Sequence, residues 1–326
     1  MRILLTGGTG FLGGRIAARL AQAGHQVRAL VRPRPRPAPM PAGVETVAGD
    51  VTDRDSMRRA AEGVDAIVHG AALVRMWVRD PAAFDLINIG GLRNAIEIAR
   101  RAPGCRLLYI SSFIALGPTD GTVGDESLTH PGEARNDYER TKAAADRVAR
   151  RAAADGVPIA MVYPGAIYGG GTLTDGSIIT KLIRDFMNRR ARYLGEGRQR
   201  VCYAFIDDVV EGLVMALERG AAGRGYILGG ENADYRSLFS LLARLTQVPE
   251  PRRSVPFWLA ETMGRVLRWR ARLTGLAPVI TDEVVRIYRH DWAYSSDRAV
   301  AELGYRITPL EEGLKRTIAW LKEQKA

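Results

Sequence analysis

The 326-residue chain has two cysteines, Cys105 and Cys202, which make neither a metal-ligand spacing nor a disulfide framework. No stretch reaches the roughly 20 uninterrupted apolar residues of a membrane span. No run of basic residues interleaved with aromatics marks a nucleic-acid groove, so a nucleic-acid partner is not expected. The four histidines suggest no metal site. His25 and His130 fall in turns, His290 lies near an aromatic cluster, and His69 reads as a satisfied core residue within an apolar strand. The N-terminal "MRILLTGGTGFLGG" is too broken by glycine for a signal peptide, which leaves the cytoplasm as the expected location. What is present is an ordinary globular composition, 46% apolar and 25% charged. The net charge of +11 suits an anionic ligand or a membrane surface.

Arg2 to Thr6, "RILLT", is a short β-rich run that leads into "GGTGFLGGRIAARLAQAGH", where apolar residues take up helical spacing. Strand, glycine turn and helix form the setting of a dinucleotide fingerprint. Gly7, Gly10 and Gly13 stand three apart. Glycine allows the tight turn, lets backbone approach a pyrophosphate, and lets the helix sit close on its strand. The helix N-terminus then offers unpaired N–H groups to phosphate. Further strands are read at "QVRALV", "VETVAG", "VDAIVHGAA", "CRLLYISS" and "PIAMVYPG", with helices at Arg54 to Glu62, Ala82 to Arg101 and Tyr138 to Ala154. That alternation predicts an α/β fold with a parallel sheet covered on both faces.

Two positions bear on cofactor choice. Asp50, after the third strand, either accepts a hydrogen bond from an adenine amino group or caps a helix. Arg32 ends the second strand, where an NAD-selective site often has an acid. With Arg34 and Arg36 it would welcome a 2′-phosphate, which tips the reading from NAD toward NADP. The same "RPRPRP" is also the composition of a stiff, solvated loop.

"NDYERTKAAADRV", Asn136 to Val148, sets Tyr138 one helical turn before Lys142 in a chain with few lysines. The two share a helix face. A ring packed on an aliphatic stem needs no function, and so short a motif gains meaning only from its surroundings.

Those surroundings are "TGGTGFLGG", "GDVTD", "HGAA", "NIGGLRN", "YISSF", "YERTK" and "YPGAIYG". In this order and spacing the sequence resembles the extended short-chain dehydrogenase/reductase family over nearly its whole length. "SSFIALGPTDGTVGDES", "DDVVEGL", "GGEN" and "RHDWAYSSDRAVAELGY" look like its branch of dihydroflavonol-reductase-like and farnesol-dehydrogenase-like proteins. The resemblance implies a Rossmann-type, doubly wound parallel sheet with a smaller, interleaved C-terminal lobe. The dinucleotide domain would span 1–168, with 203–230 returning to it; 169–202 and 231–326 would mainly form the substrate lobe.

The resemblance also implies roles. Tyr138 would be the general acid/base, and Lys142 would lower its pKa from the usual value near 10 and hold the nicotinamide ribose. Ser112 would bind the substrate oxygen, and Asn88 would extend a proton relay beyond the lysine. Gly7, Thr9, Gly10, Phe11, Leu12, Gly13, Arg32, Asp50, Val51, Ala71, Ala72, Tyr163, Gly165 and Ile167 would meet the cofactor together with Tyr138 and Lys142. Two positions depart from the family pattern: Gly91 where threonine is common, and Tyr163 where arginine is common. A homodimer is implied, paired through the helices at Ala82 to Arg101 and Tyr138 to Ala154.

Three classes of function compete. The first is a dehydrogenase or reductase acting on a lipophilic alcohol or carbonyl compound, terpenol-, sterol- or flavonoid-like, with net alcohol oxidation expected. The second is a nucleotide-sugar epimerase or dehydratase, and the third a non-catalytic nucleotide-binding scaffold. Ser112, Tyr138 and Lys142 weigh against the scaffold. Val201 and Cys202 stand where sugar-nucleotide members carry an Arg-Asp pair for the diphosphate, which weighs against the second class unless Arg198 or Arg200 substitutes. "VPFWLAETMGRVLRWRARLTGL" mixes aromatic and apolar residues with arginines. It reads either as a cover over a lipophilic pocket that meets anionic lipid, or as a lobe helix with snorkelling arginines.

Overall fold

The computed structural model describes residues 1–33, 40–75, 77–191, 193–194, 197–251 and 253–324. The strands are β1 (Arg2–Thr6), β2 (Gln26–Val31), β3 (Val44–Ala48), β4 (Ala66–His69), β5 (Arg106–Ile110) and β6 (Ile159–Pro164). They continue with β7 (Ala166–Tyr168), β8 (Tyr193–Leu194), β9 (Arg200–Phe205), β10 (Gly225–Leu228), β11 (Asn232–Asp234) and β12 (Arg253–Ser254). The first helices are α1 (Phe11–Gln22), α2 (Arg54–Ala60), α3 (Ala82–Phe84), α4 (Gly91–Arg101), α5 (Asp137–Ala154) and α6 (Ile178–Met187). After them come α7 (Ile206–Arg219), α8 (Tyr235–Thr246), α9 (Phe257–Thr274), α10 (Asp282–Ile287), α11 (Asp297–Leu303) and α12 (Leu310–Glu323).

Seven parallel strands lie in the order β10-β6-β5-β4-β1-β2-β3. The order reverses between β1 and β4, and a crevice at such a reversal is where doubly wound sheets take ligands. Strand residues alternate between two apolar layers. Ile3, Leu5, Val27 and Val68 face α1, α7 and α11 on one side. Leu4, Ile67, Leu107 and Met161 face α2, α4 and α5 on the other. Near-continuous apolar runs such as "AIVH" and "IAMVYP" are what burial on both faces demands.

The helix read at Ala82 to Arg101 is continuous but not uniform. A π-helical stretch, Asp85–Gly90, joins α3 to α4 and holds Asn88 inside. Such bulges occur where a side chain is drawn out of the regular ladder, often at functional sites. Asp53, not Asp50, caps α2, accepting from the N–H groups of Asp55 and Ser56.

A third cluster forms the smaller lobe, with Tyr168, Ile183, Phe186, Tyr203, Leu238 and Leu314 drawn from β7, α6, β9, α8 and α12. In the structure α7 and β10 join the sheet, β10 pairing with β6. So does α11, although the sequence reading assigned 231–326 mainly to the lobe. Ala299, Leu303 and Tyr305 pack with Leu213 and Leu217 of α7, so that helix closes the sheet's outer layer.

Candidate active site

The site is built on the C-terminal ends of β1, β4 and β5 and the first turns of α1 and α5. At β1 the chain turns at Gly7, whose φ is +78°. A β-carbon there would lie 2.6 Å from the backbone of Gly70, at the end of the neighbouring strand. A β-carbon on Gly13 would overlap the carbonyl oxygen of Gly7. Glycine therefore serves two distinct ends, a left-handed turn and a helix seated on the strand end. Gly10 is the N-cap of α1 and donates no side-chain cap, so the first N–H groups of the helix are left for a ligand. Thr9 is exposed at this mouth, Phe11 is buried, and Leu12 is half-buried.

Behind the turn, Thr6 Oγ1 accepts from the N–H of Ala71 at 3.2 Å and pairs with His69 Nδ1 at 3.0 Å. That tie fixes the loop carrying Ala71 and Ala72 beside Gly7. His69 is not the satisfied core residue read from the sequence, because its Nε2 is buried without a partner among the described residues. Burial, with the nearby Lys142 charge adding to it, pushes its imidazole down to about 3, so it is neutral.

The start of α5 is locked by a group of residues that sequence reasoning missed. Asn136 Oδ1 accepts from the N–H of Glu139 at 2.8 Å. The fully buried Glu139 carboxylate accepts from Arg135 N at 2.8 Å and Arg135 Nη1 at 2.6 Å, and lies 2.9 Å from His130 Nε2. Burial alone would raise its carboxyl, but these partners hold it below the ordinary range. The signal was present as Asn136 followed three residues later by Glu139, the spacing of a capping box. This frame fixes Tyr138 between them.

Tyr138 is half-buried, and burial pushes its phenol up to about 12 while the neighbouring Ser112 hydroxyl pulls the other way. Lys142 is 3% exposed. Burial pushes its ammonium down to about 8, against the attraction of Asp146 one turn further on. Burial and Ser112 are what act on the Tyr138 phenol here. Spacing puts Tyr138 and Lys142 on one helix face, but Lys142 Nζ turns to the sheet and donates to the carbonyls of Ile110 at 3.2 Å and Ser111 at 3.5 Å. It lies 5.4 Å from the centre of the Tyr109 ring. The lysine thus braces the end of β5, from which Ser112 projects. Ser112 Oγ accepts from the N–H of Ile114 at 3.4 Å and caps the short turn Phe113–Leu116.

Asn88 is occupied on two sides. Its Oδ1 accepts from Leu73 N at 2.7 Å, and its Nδ2 donates to Thr141 Oγ1 at 3.0 Å. It joins the loop after β4 to α5, one residue before Lys142. Burial pushes the Tyr109 phenol up, against the neighbouring Ser111 hydroxyl, and the buried His69 Nε2 has no hydrogen-bond partner among the described residues. A left-handed glycine turn packed on the end of β4 and free N–H groups at α1 together fit a dinucleotide.

The model of the NAD dependent epimerase/dehydratase family matches residues 3–229. The chain belongs to that family. It is 31% identical to sterol demethylase protein B of Methylococcus capsulatus, over 99% of both chains. It is 29% identical to the 4-hydroxy-2-methyl-3-oxo-4-farnesyl-3,4-dihydroquinoline-1-oxide ketoreductase of Stigmatella aurantiaca, over 94% of this chain and 92% of that one. The solved structure of gox2253 superposes with a TM-score of 0.81 at 30% identity, covering 99% and 98% of the two chains. The protein is an NAD(P)-dependent oxidoreductase of the extended short-chain type.

Of the family's other positions, Arg32 is exposed at the end of β2, while Arg34 and Arg36 lie outside the described residues. Asp50 turns on itself, its Oδ1 accepting from the N–H and hydroxyl of Thr52 at 2.9 and 2.8 Å. The carbonyl of the buried Val51 is taken by Asn94 Nδ2 at 2.8 Å. The Tyr163 side chain is fully buried and serves the core. Its hydroxyl donates to Asp146 Oδ1 at 2.6 Å and accepts from Arg150 Nη2 at 3.2 Å, so only its backbone is left to a cofactor. A β-carbon on Gly165 would lie 2.6 Å from the Cys202 carbonyl oxygen, so glycine lets β6 and β9 approach. Ile167 is half-buried in β7. Val201 and Cys202 are core residues of β9, 5% and 0% exposed. Arg200 is held by Asp291 and the Thr122 carbonyl, whereas Arg198 is exposed.

Proposed function

We propose that this family member interconverts a lipophilic alcohol and its carbonyl compound, with Tyr138 as general acid/base and Ser112 holding the reacting oxygen. The observation that carries the reading is the group at the end of β5. Ser112 and Tyr138 stand side by side above a buried, braced Lys142, and the sequence has two buried core residues, Val201 and Cys202, in place of the Arg-Asp pair of sugar-nucleotide members. The chemistry supplied by a bound nicotinamide is hydride exchange with the substrate carbon. In reduction, the Tyr138 hydroxyl donates its proton to the substrate oxygen while the Ser112 hydroxyl donates a hydrogen bond to the same atom. With its pKa pushed up to about 12, Tyr138 is protonated at neutral pH and suits that direction. Alcohol oxidation uses the same atoms in reverse and calls on the phenolate. Lys142, fixed on the β5 carbonyls, supplies positive charge beneath both. The two named relatives, a sterol demethylase component and a farnesyl-quinoline ketoreductase, support a lipophilic substrate.

For the cofactor we favour NADP, on the exposed Arg32 where an NAD-selective site often has an acid. Gly7, Gly10 and Gly13, with the N–H groups of Phe11 and Leu12, would take the pyrophosphate, and Asp50 the adenine. A cytoplasmic homodimer completes the reading, its second copy covering the groove of about 680 Å³ between α4 and α5. Arg93, Arg100, Arg147 and Arg151 line that groove with Glu97 and Asp155. Ile96, Ala144, Val148 and Ala152 line it too, so the contact would be an apolar one edged by charged side chains.

The test is Tyr138→Phe, which removes only the hydroxyl. Dinucleotide binding should be retained and turnover should fall at least about 10²-fold, the lower end for a positioned acid/base. Turnover close to that of the unaltered protein would remove Tyr138 from the reaction.

A further inference from the structure

Eight of the thirteen large apolar side chains exposed among the described residues fall between Trp258 and Val279, so this is one patch and not a scatter. The helix α9 carries most of it. Trp258, Val266, Trp269 and Leu273 recur every third or fourth residue or a multiple of that and form a single stripe, with Leu259 and Met263 beside it. Trp258 and Trp269 are 69% and 64% exposed, which is rare for rings of that size without a partner.

The borders of the stripe are basic. At 3.6 residues per turn, Arg265 and Arg272 lie along one edge and Arg270 along the other, all exposed. The helix's lone acid, Glu261, is withdrawn from this face by Arg265 at 2.8 Å and Arg289 at 3.3 Å. Arg268 points inward to Asp282 and Glu283. The inner face is seated firmly. A β-carbon on Gly264 would overlap the backbone of Asp282, and Ala271 is 1% exposed. The stripe is therefore held outward by a close packing against α10, and Ile287 of α10 packs into the same apolar cluster as Tyr138.

We propose that α9 is a lipid-surface contact, lying in the plane of an anionic bilayer. The tryptophans, Val266 and Leu273 would enter the acyl boundary, and Arg265, Arg270 and Arg272 would meet headgroup phosphates. No helix among the described residues is long and apolar enough to cross a membrane, so the contact is peripheral. Charge selects this occupant over a second copy of the chain. Two such faces packed together would bring arginine borders against each other, and the one acid of each helix, Glu261, is already paired within its own chain. The surface lies one helix layer from the α5 start, so a lipophilic substrate could pass between bilayer and site. Vesicle binding itself does not depend on the proposed reaction.

The test is co-sedimentation of the full chain with vesicles of phosphatidylcholine alone and of an equal phosphatidylcholine–phosphatidylglycerol mixture, alongside light scattering in solution. The proposal expects binding to the anionic vesicles at least about tenfold stronger than to the neutral ones. It also expects a blue shift of tryptophan emission on binding. Trp258→Ser combined with Trp269→Ser, both on the exposed face, should lose that binding by about tenfold or more while keeping the fold by circular dichroism. Three results would each overturn the proposal: the unaltered protein staying in the supernatant, equal binding to both vesicle types, or a dimer that the double variant splits.

Discussion

Replacing Lys142 by Met should make the protein more stable at neutral pH and inactive. The ammonium is 3% exposed, and burial brings it from the ordinary 10.5 down to about 8. At about 1.36 kcal/mol per pH unit, that is roughly 3 kcal/mol of stability lost to holding the charge inside. Met fills a similar volume but leaves the Ile110 and Ser111 carbonyls without their donor, a cost of roughly 1–2 kcal/mol. The variant should therefore gain about 1–2 kcal/mol near pH 7. The sign then changes with pH. Below about 8 both folded and unfolded chains carry the proton, and the penalty is fully present. Between about 8 and 10.5 the unfolded chain keeps a proton that the folded chain has released, so the stability of the lysine protein rises relative to the variant. The difference should shrink and reverse by about pH 10, as the whole roughly 3 kcal/mol is recovered. Urea unfolding of both proteins over that range reads it directly, since every other titrating group cancels in the difference. A difference that does not move with pH would refute the buried-charge account, and so would a lysine protein that is the more stable at pH 7.

Gly13→Ala puts a methyl group into the Gly7 carbonyl and should cost about 2–4 kcal/mol of stability along with dinucleotide binding, measured by thermal shift and titration. Arg32→Asp should move preference from NADP toward NAD by roughly 1–3 kcal/mol, the worth of charge-assisted hydrogen bonds, in a comparison of the two dissociation constants. Because Tyr138 is pushed up to about 12, the rate of carbonyl reduction should stay level through neutrality, while alcohol oxidation climbs with pH. Stopped-flow measurement of the chemical step in each direction checks that contrast.

The sheet was legible because its strands are buried on both faces, so "RILLT", "QVRALV" and "IAMVYP" stand out as apolar runs between glycine turns and amphipathic helices. The Gly7–Gly10–Gly13 turn was legible because no other residue fits two of those places. Side-chain direction was not. The i, i+4 spacing gives Tyr138 and Lys142 one face, but the β5 carbonyls decide where the ammonium goes, and they come from a segment about 30 residues away in sequence. The partners of the Tyr163 hydroxyl were hidden for a related reason. Its partner Asp146 is also paired with Arg150, which donates to it at 2.7 Å, and that pair can be recognised only once α5 is laid across β6. The vacant Nε2 of His69 and the placing of α11 against α7 likewise depend on contacts between distant segments.

The central claim is net redox chemistry on a lipophilic substrate, and absorbance at about 340 nm, the dihydronicotinamide band, tests it most directly. The full chain would be mixed with a panel of terpenoid, sterol and flavonoid alcohols or carbonyl compounds and with UDP- and dTDP-sugars, each with NADP and NAD. The account predicts a continuous absorbance change with at least one lipophilic compound, abolished in Tyr138→Phe, and no conversion of the sugars. Conversion of a sugar nucleotide without net change in the cofactor, and silence across the lipophilic panel, would contradict it.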